Sequence, residues 1–371
     1  MGNKNLHIIA FNVPYPADYG GVIDVFYRVK ALSEAGVRIH LHCFKYGREE
    51  SAELEQLCEQ VTYYPRSRSF IHQLLMTPFI VKTRSNKELL NNLLENDWPI
   101  LFEGLHSCYF LDHPKLKSRI KIVRSHNIEH HYYAGLADKA QSLKDRIYFR
   151  MEARKLKRFE KVFEHANYIA AISEADKNYL QPKYGKTFLM LPSHPSEEVK
   201  IEMGRGEFVL YHGDLSTREN TDAALFILKE IAFKLEAIRF VFAGKNPSPV
   251  LIQEANKLKN AEVIGNPVHE KMQELIADAH INFLPTFQAT GFKLKLLNAL
   301  FNGRFCLGTP QLVEGTGLDS ACIILEKSED FVKEIERLMS VDFTNELIEK
   351  RKALLNFYSN SASISHLLTL I

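Results

Sequence analysis

Cysteine is scarce and scattered in this 371-residue chain. Cys43, Cys58, Cys108, Cys306 and Cys322 stand far apart and form no C-x-x-C pair. That excludes a zinc ribbon, argues against a disulfide framework and fits a reducing compartment. Long hydrophobic runs are missing too. None reaches the roughly 18 residues that a membrane-spanning helix needs, and the first apolar stretch, residues 6–13, is too short for a secretory signal with its cleavage site. A cytoplasmic protein is expected, attached at most peripherally to the inner face of a membrane. Charge of one sign is also lacking. With 47 Lys+Arg against 45 Asp+Glu the net charge is +2, far from the basic excess of a nucleic-acid binder. Finally, the chain has no G-x-G-x-x-G dinucleotide fingerprint and no H-E-x-x-H metal motif.

What is present is a globular composition, 46% hydrophobic and 25% charged, on a chain long enough for two cores. Short apolar runs alternate with helical patterns. Residues 6–12, 37–44, 100–103, 120–125 and 168–172 read as strands, with helices at 22–35, 143–165 and from 173 onward. Ser173 with Asp176 makes a capping pattern. Residues 191–207, rich in Pro, Gly and charge, read as a linker. Strands at 208–212, 238–243, 261–264, 281–285 and 305–308 then alternate with helices. Helix-length crossovers join parallel neighbours, so each half reads as a parallel sheet covered on both faces. The expected domains are 1–190, 208–355 and a helical tail, 356–371.

Three loops carry the candidate chemistry. Gly20 and Gly21 follow the first strand, where bare backbone lets N–H groups approach a phosphate or an acceptor. Arg124-Ser-His-Asn-Ile-Glu-His-His131 follows another strand. His126 could hydrogen-bond a ligand or polarise a reacting centre, and Glu129 could orient it or a ligand hydroxyl. His126 and His130 are four apart, but position 127 is Asn, so the usual metal motif is not met. In the second half, Thr286–Gly291 runs into a helix expected near Phe292, an N-terminus suited to a diphosphate. Lys293 and Lys295 add positive charge. Two basic stretches, 65–84 and 143–161, mix cations with apolar residues and read either as solvated faces or as membrane-surface segments.

The ordered set Val209–Leu215, Phe240–Gly244, Val263–Pro267 and Ile281–Ala299 resembles the C-terminal domain of GT-B glycosyltransferases, particularly the retaining family 4 group (group 1 glycosyltransferases). In that group a "P…G…K…EA…G.P" segment holds the nucleotide sugar. Here it reads Pro285, Gly291, Lys293, Lys295, Asn298-Ala299, Gly303 and Thr309-Pro310. The resemblance implies two Rossmann-like domains facing across a cleft, with C-terminal helices returning to the first. It implies transfer of a sugar from a nucleotide diphosphate donor to a saccharide or lipid-linked acceptor, with retention, and a cell-envelope polysaccharide role. No cofactor is expected. The missing D-x-D carboxylates fit a metal-independent reaction. Donor binding is expected from Gly20, Gly21, Arg218, Lys245, Thr290, Gly291, Phe292, Lys293 and Asn298, and catalysis from His126 and Glu129. Two family glutamates are replaced, by Thr290 and Asn298. The phosphate-binding Arg/Lys pair after the first strand of the second domain is replaced by Asp214 and Asn220. A catalytically altered relative that binds nucleotide sugars or glycans is therefore the alternative.

Overall fold

The computed structural model describes residues 4–287 and 291–371. The chain divides into two compact units, one of residues 1–193 and 360–371, the other of residues 194–359.

The first unit is built on seven strands: β1 (Asn5–Ala10), β2 (Arg38–Lys45), β3 (Gln60–Pro65), β4 (Ile100–Glu103), β5 (Lys121–Ser125), β6 (Tyr168–Ala171) and β7 (Thr187–Leu189). Their order is β3-β2-β1-β4-β5-β6-β7, and every pairing is parallel. Strands buried on both faces explain the near-continuous apolar runs, such as Leu6, Ile8, Ile9 and Ala10. One core layer packs Val25, Val29 and Leu32 of the helix Gly20–Glu34 on this sheet, together with Ile364 and Leu367 of the terminal helix Asn360–Leu370. The last helix thus returns to the first unit. Ser173 caps the helix Glu174–Tyr184 through the Asp176 N–H, the arrangement its spacing implies.

The second unit carries β8 (Phe208–Asp214), β9 (Arg239–Lys245), β10 (Ala261–Gly265), β11 (Ile281–Phe283), β12 (Phe305–Gly308) and β13 (Ile323–Ile324). Their order is β10-β9-β8-β11-β12-β13, again parallel throughout. Both sheets follow the Rossmann order, with a reversal between β1 and β4 and between β8 and β11. Residues 194–207, read as a linker, are packed into this unit. Lys200 donates its N–H to the Phe301 carbonyl at 2.8 Å, and Gly204 bridges Phe343.

The sequence pattern missed β3, β7 and β13. β3 is a sheet-edge strand with one buried residue among half-buried and exposed ones, and β7 and β13 are only three and two residues long.

Candidate active site

In open α/β sheets, ligands meet the carboxyl ends of strands near the topological switch. The second unit concentrates cations there. Gly213 and Gly244 lie opposite each other at the ends of β8 and β9. A Cβ on Gly244 would fall 1.7 Å from the Gly213 carbonyl oxygen, so only glycine allows this approach. The turn after β8 is tied by Asp214, whose Oδ1 accepts from the Ser216 N–H at 3.0 Å. Thr217 then caps the helix Arg218–Phe226.

The helix Leu294–Asn302 begins two residues later than the sequence suggests, with Lys293 at its cap position. Gly291 precedes it with φ 65°, a conformation that favours glycine. Lys293 pairs with Glu219 at 3.1 Å. Lys295 donates to Asn220 Oδ1 at 3.1 Å and lies 5.0 Å above the Tyr211 ring. These bonds gather the first turns of two helices at the end of β8. Burial pulls the Lys295 ammonium down to about 8, with Lys293 adding to the effect and Glu219 opposing it. His212, on β8, is buried with Nε2 unpartnered, and burial and then Lys295 lower its pKa to about 3.

The other donor-site candidates are placed as follows. Arg218 is exposed in the first turn of its helix, 3.6 Å from Asp222. Lys245 ends β9 and is exposed. Phe292 is half-buried. Asn298 lies in the Leu294 helix, its Oδ1 accepting from Asn302 Nδ2 at 3.0 Å. Thr290 lies outside the described residues. Sequence reading gave Lys295 only as nearby charge and gave no role to Tyr211, Glu219 or His212. The signal for Lys295 was its two-residue spacing from Lys293 at a helix start, where one lysine turns inward.

In the first unit, Gly20 and Gly21 open the helix Gly20–Glu34. That helix buries two charged residues on its apolar face, Asp24 and Arg28. Arg28 forms ion pairs with Asp24 and, at 2.5 Å, with Glu103 at the end of β4. Arg124 reaches Asp24 at 3.1 Å. Burial pushes the Asp24 and Glu103 carboxyls up, but Arg28 and the neighbouring cationic groups outweigh it and hold both low.

His126 belongs to this buried network. Its Nε2 lies 2.7 Å from Glu103 and its Nδ1 3.4 Å from Asp24. The residues that orient it are thus Glu103 and Asp24, not Glu129 as its nearness in sequence suggested. His130 turns elsewhere, to Glu160 at 3.1 Å, so the two histidines build no shared metal site.

Glu129 lies against a residue that sequence reading overlooked, His106, at 3.8 Å. Glu129 Oε1 and His106 Nδ1 are both buried without a hydrogen-bond partner. Burial pushes the Glu129 carboxyl up to about 8, against the pull of Arg84 and a hydrogen bond from Asn127. Gly104 makes the room: its φ is 74°, and a Cβ there would come within 3.0 Å of His106 Nδ1. A strand ending in Glu-Gly was the available signal. Such a protonated acid beside a neutral imidazole can donate to, or take a proton from, a hydroxyl.

Residues 206–341 match the family model described as glycosyl transferases group 1. The second unit carries a group 1 glycosyltransferase domain. Within this glycosyltransferase domain lie the lysines and the glycine pair described above. Over the whole chain, a relative from Klebsiella pneumoniae, described as an uncharacterized 44.6 kDa protein in the cps region, is 26% identical across 84% of both chains. Among solved structures, TarM aligns with TM-score 0.68 at 10% identity, covering 99% of this chain and 98% of its own. A TarM variant from S. aureus in complex with fondaparinux, alpha-GlcNAc-glycerol and UDP aligns with TM-score 0.65 at 11% identity over 99% of both chains. The lipopolysaccharide outer core galactosyltransferase WaaB follows with TM-score 0.61 at 14% identity, covering 99% of this chain and 98% of its own. At these identities the structural likeness establishes the fold, GT-B.

Proposed function

We propose that the chain transfers a hexose from a nucleoside diphosphate sugar to a saccharide or lipid-linked acceptor, with retention and without a metal, in building a cell-envelope polysaccharide. The observation that carries this is the convergence of two helix N-terminal turns with Lys293 and Lys295 at the end of β8. N–H groups and cations there would bind the diphosphate and stabilise the charge it gains on leaving. Arg218 and Lys245 flank the same strand ends. In the first unit, Glu129 and His106 are the polar groups left to meet an acceptor hydroxyl, while His126 acts as a positioning residue inside its ion network. The test is thermal stabilisation by a panel of UDP, GDP, ADP and dTDP. A chain that none of them stabilises does not bind such a donor.

Asn298 favours a second reading, a catalytically altered relative that binds nucleotide sugars or glycans. Its Oδ1 is engaged by Asn302, where the resembling family has a glutamate. Donor turnover by the wild type, lost in Glu129→Gln while nucleotide stabilisation persists, would reject that reading.

A further inference from the structure

In the second unit, β12 and β13 pair with Leu307 beside Ile323 and Gly308 beside Ile324. Continued back by one residue, that register sets Cys306 beside Cys322. Neighbouring strands run about 4.8 Å apart, inside the Cα separation of about 4.4–6.8 Å that a disulfide bridges. Both cysteines are free thiols, Cys306 buried and Cys322 half-buried. They line one cavity of about 350 Å³, together with Phe305, Phe343, Leu347 and Arg351. The sugar-transfer reading uses neither of them.

A buried cation stands at this pair. Arg351, on the helix Asn345–Leu355, is 7% exposed. It donates to the Leu300 carbonyl at 3.1 Å and to the Arg304 and Ala321 carbonyls at 3.3 Å each. Residues 300 and 304 lead into β12 and Ala321 precedes Cys322, so the guanidinium is fixed between the two cysteine-bearing segments. Burial pulls it below its usual range, and the charges that oppose this are those of Cys306 and Cys322, not of a carboxylate. A cation so placed favours a thiolate, the nucleophilic form of cysteine. Cys322 is the sulfur that keeps its proton. Its hydrogen bond to Cys306, then burial, push its thiol well above the usual range, with Arg351 opposing and Asp319 adding to the rise. Cys43 and Cys58 are also neighbours, but Cys43 lies opposite Tyr63 on β3, and no cation acts on either thiol.

We propose that Cys306 and Cys322 form a redox site, at which hydrogen peroxide or another small hydroperoxide entering the cavity oxidises the pair reversibly to a disulfide. With hydrogen peroxide, the Cys306 sulfur attacks one peroxide oxygen. The S–O bond forms, the O–O bond breaks, and the departing hydroxide takes the proton given up by Cys306 and leaves as water. The Cys322 sulfur then attacks the Cys306 sulfenic acid. The S–S bond forms, the S–O bond breaks, and the leaving hydroxide takes the Cys322 proton as a second water. The two sulfurs are oxidised and both peroxide oxygens are reduced to water. A dithiol reductant reverses the change by thiol–disulfide exchange. The retained proton on Cys322 suits it to this second step, and Arg351 beside the pair suits Cys306 to the first.

The full chain is treated with hydrogen peroxide, unfolded in urea with an alkylating reagent and mapped by mass spectrometry. The number of alkylated cysteines should fall from five to three, with the peptides of Cys306 and Cys322 joined until dithiothreitol releases them. The bridge constrains the unfolded chain, so the oxidised protein should melt several degrees higher. Cys322→Ser should halt at the Cys306 sulfenic acid, which dimedone traps. Cys306→Ser should give no dimedone adduct at Cys322. Serine is close in size to cysteine, and unchanged melting curves will show that both variants fold. Five alkylated cysteines after peroxide, a Cys43–Cys58 bridge formed as readily, or a bridge between two chains overturns the proposal. So does a Cys306–Cys322 bridge that forms only once urea has unfolded the chain, or a dimedone adduct on Cys322 in Cys306→Ser. The measurement needs neither nucleotide nor transfer, so its failure leaves the sugar-transfer reading standing.

Discussion

Replacing Lys295 by Met removes a cation that the folded protein holds at a cost. Burial pulls its ammonium from 10.5 to about 8, with Lys293 adding and Glu219 opposing. A displacement of that size corresponds to about 3 kcal/mol. The folded pKa lies below the unfolded one, so below pH 8 both states are protonated and the penalty is fully present. Stability should then rise between pH 8 and 10.5, where only the unfolded state still holds the proton. At neutral pH, Lys295→Met should recover that penalty minus the charge-assisted bond to Asn220, worth about 2 kcal/mol. The net gain is about 1 kcal/mol, or a melting point higher by roughly 2–4 °C. The same substitution should weaken nucleoside diphosphate binding by roughly 30-fold, the loss of one charge-assisted phosphate bond of about 2 kcal/mol. Scanning calorimetry with and without the nucleotide measures both effects. In the wild type, nucleotide affinity should also fall as pH rises above 8, levelling off once the roughly 30-fold worth of the cation is lost, a dependence absent from the variant. A variant that melts several degrees lower and keeps its nucleotide response would refute the reasoning.

Glu103→Gln leaves Arg28 with Asp24 as its remaining carboxylate partner, removing the pair at 2.5 Å, and should destabilise the first unit by about 3 kcal/mol, read from urea midpoints. Gly244→Ala would drive a methyl group into the Gly213 carbonyl oxygen at 1.7 Å, so a loss of roughly 3 kcal/mol or more is expected in the second unit's melting. His7, hydrogen-bonded to His42 and Asn96 at 2.8 Å each, is lowered by burial from 6.5 to about 4. Its contribution is complete above pH 6.5 and is lost as pH falls towards 4, by about 3 kcal/mol in all. Urea midpoints between pH 7 and 5 should therefore decline, and His7→Gln should flatten that decline. An equally steep fall in His7→Gln would show that other groups control it.

Much of the fold was legible because buried parallel strands are nearly continuous apolar runs, as at residues 8–10, 208–211 and 240–243. The edges were less legible, since β3 and β13 carry half-buried residues without that signature. Residues 194–207 looked like a linker by composition, yet their backbone is bonded to Phe301 and Phe343. Proline and charge report local preference, not the long-range bonds a segment will find. At the site, glycines after strands were readable, as were Lys293 and Glu129. The partners of His126 were not. Asp24 and Glu103 are 102 and 23 positions away from it in the chain, and only the pairing of β4 with β5 and the packing of the first helix bring all three together.

The sequence by itself determined two α/β halves, their parallel sheets and the strand ends at which glycine and charge collect, because hydrophobic period and turn chemistry are local properties of a chain. Tertiary structure alone decided which charges neutralise one another and which stay unpaired. It turned Lys295 inward, tied His126 between two carboxylates and left Glu129 Oε1 beside His106 without a hydrogen-bond partner. Those outcomes depend on burial and on distances across crossovers, which no spacing along the chain encodes.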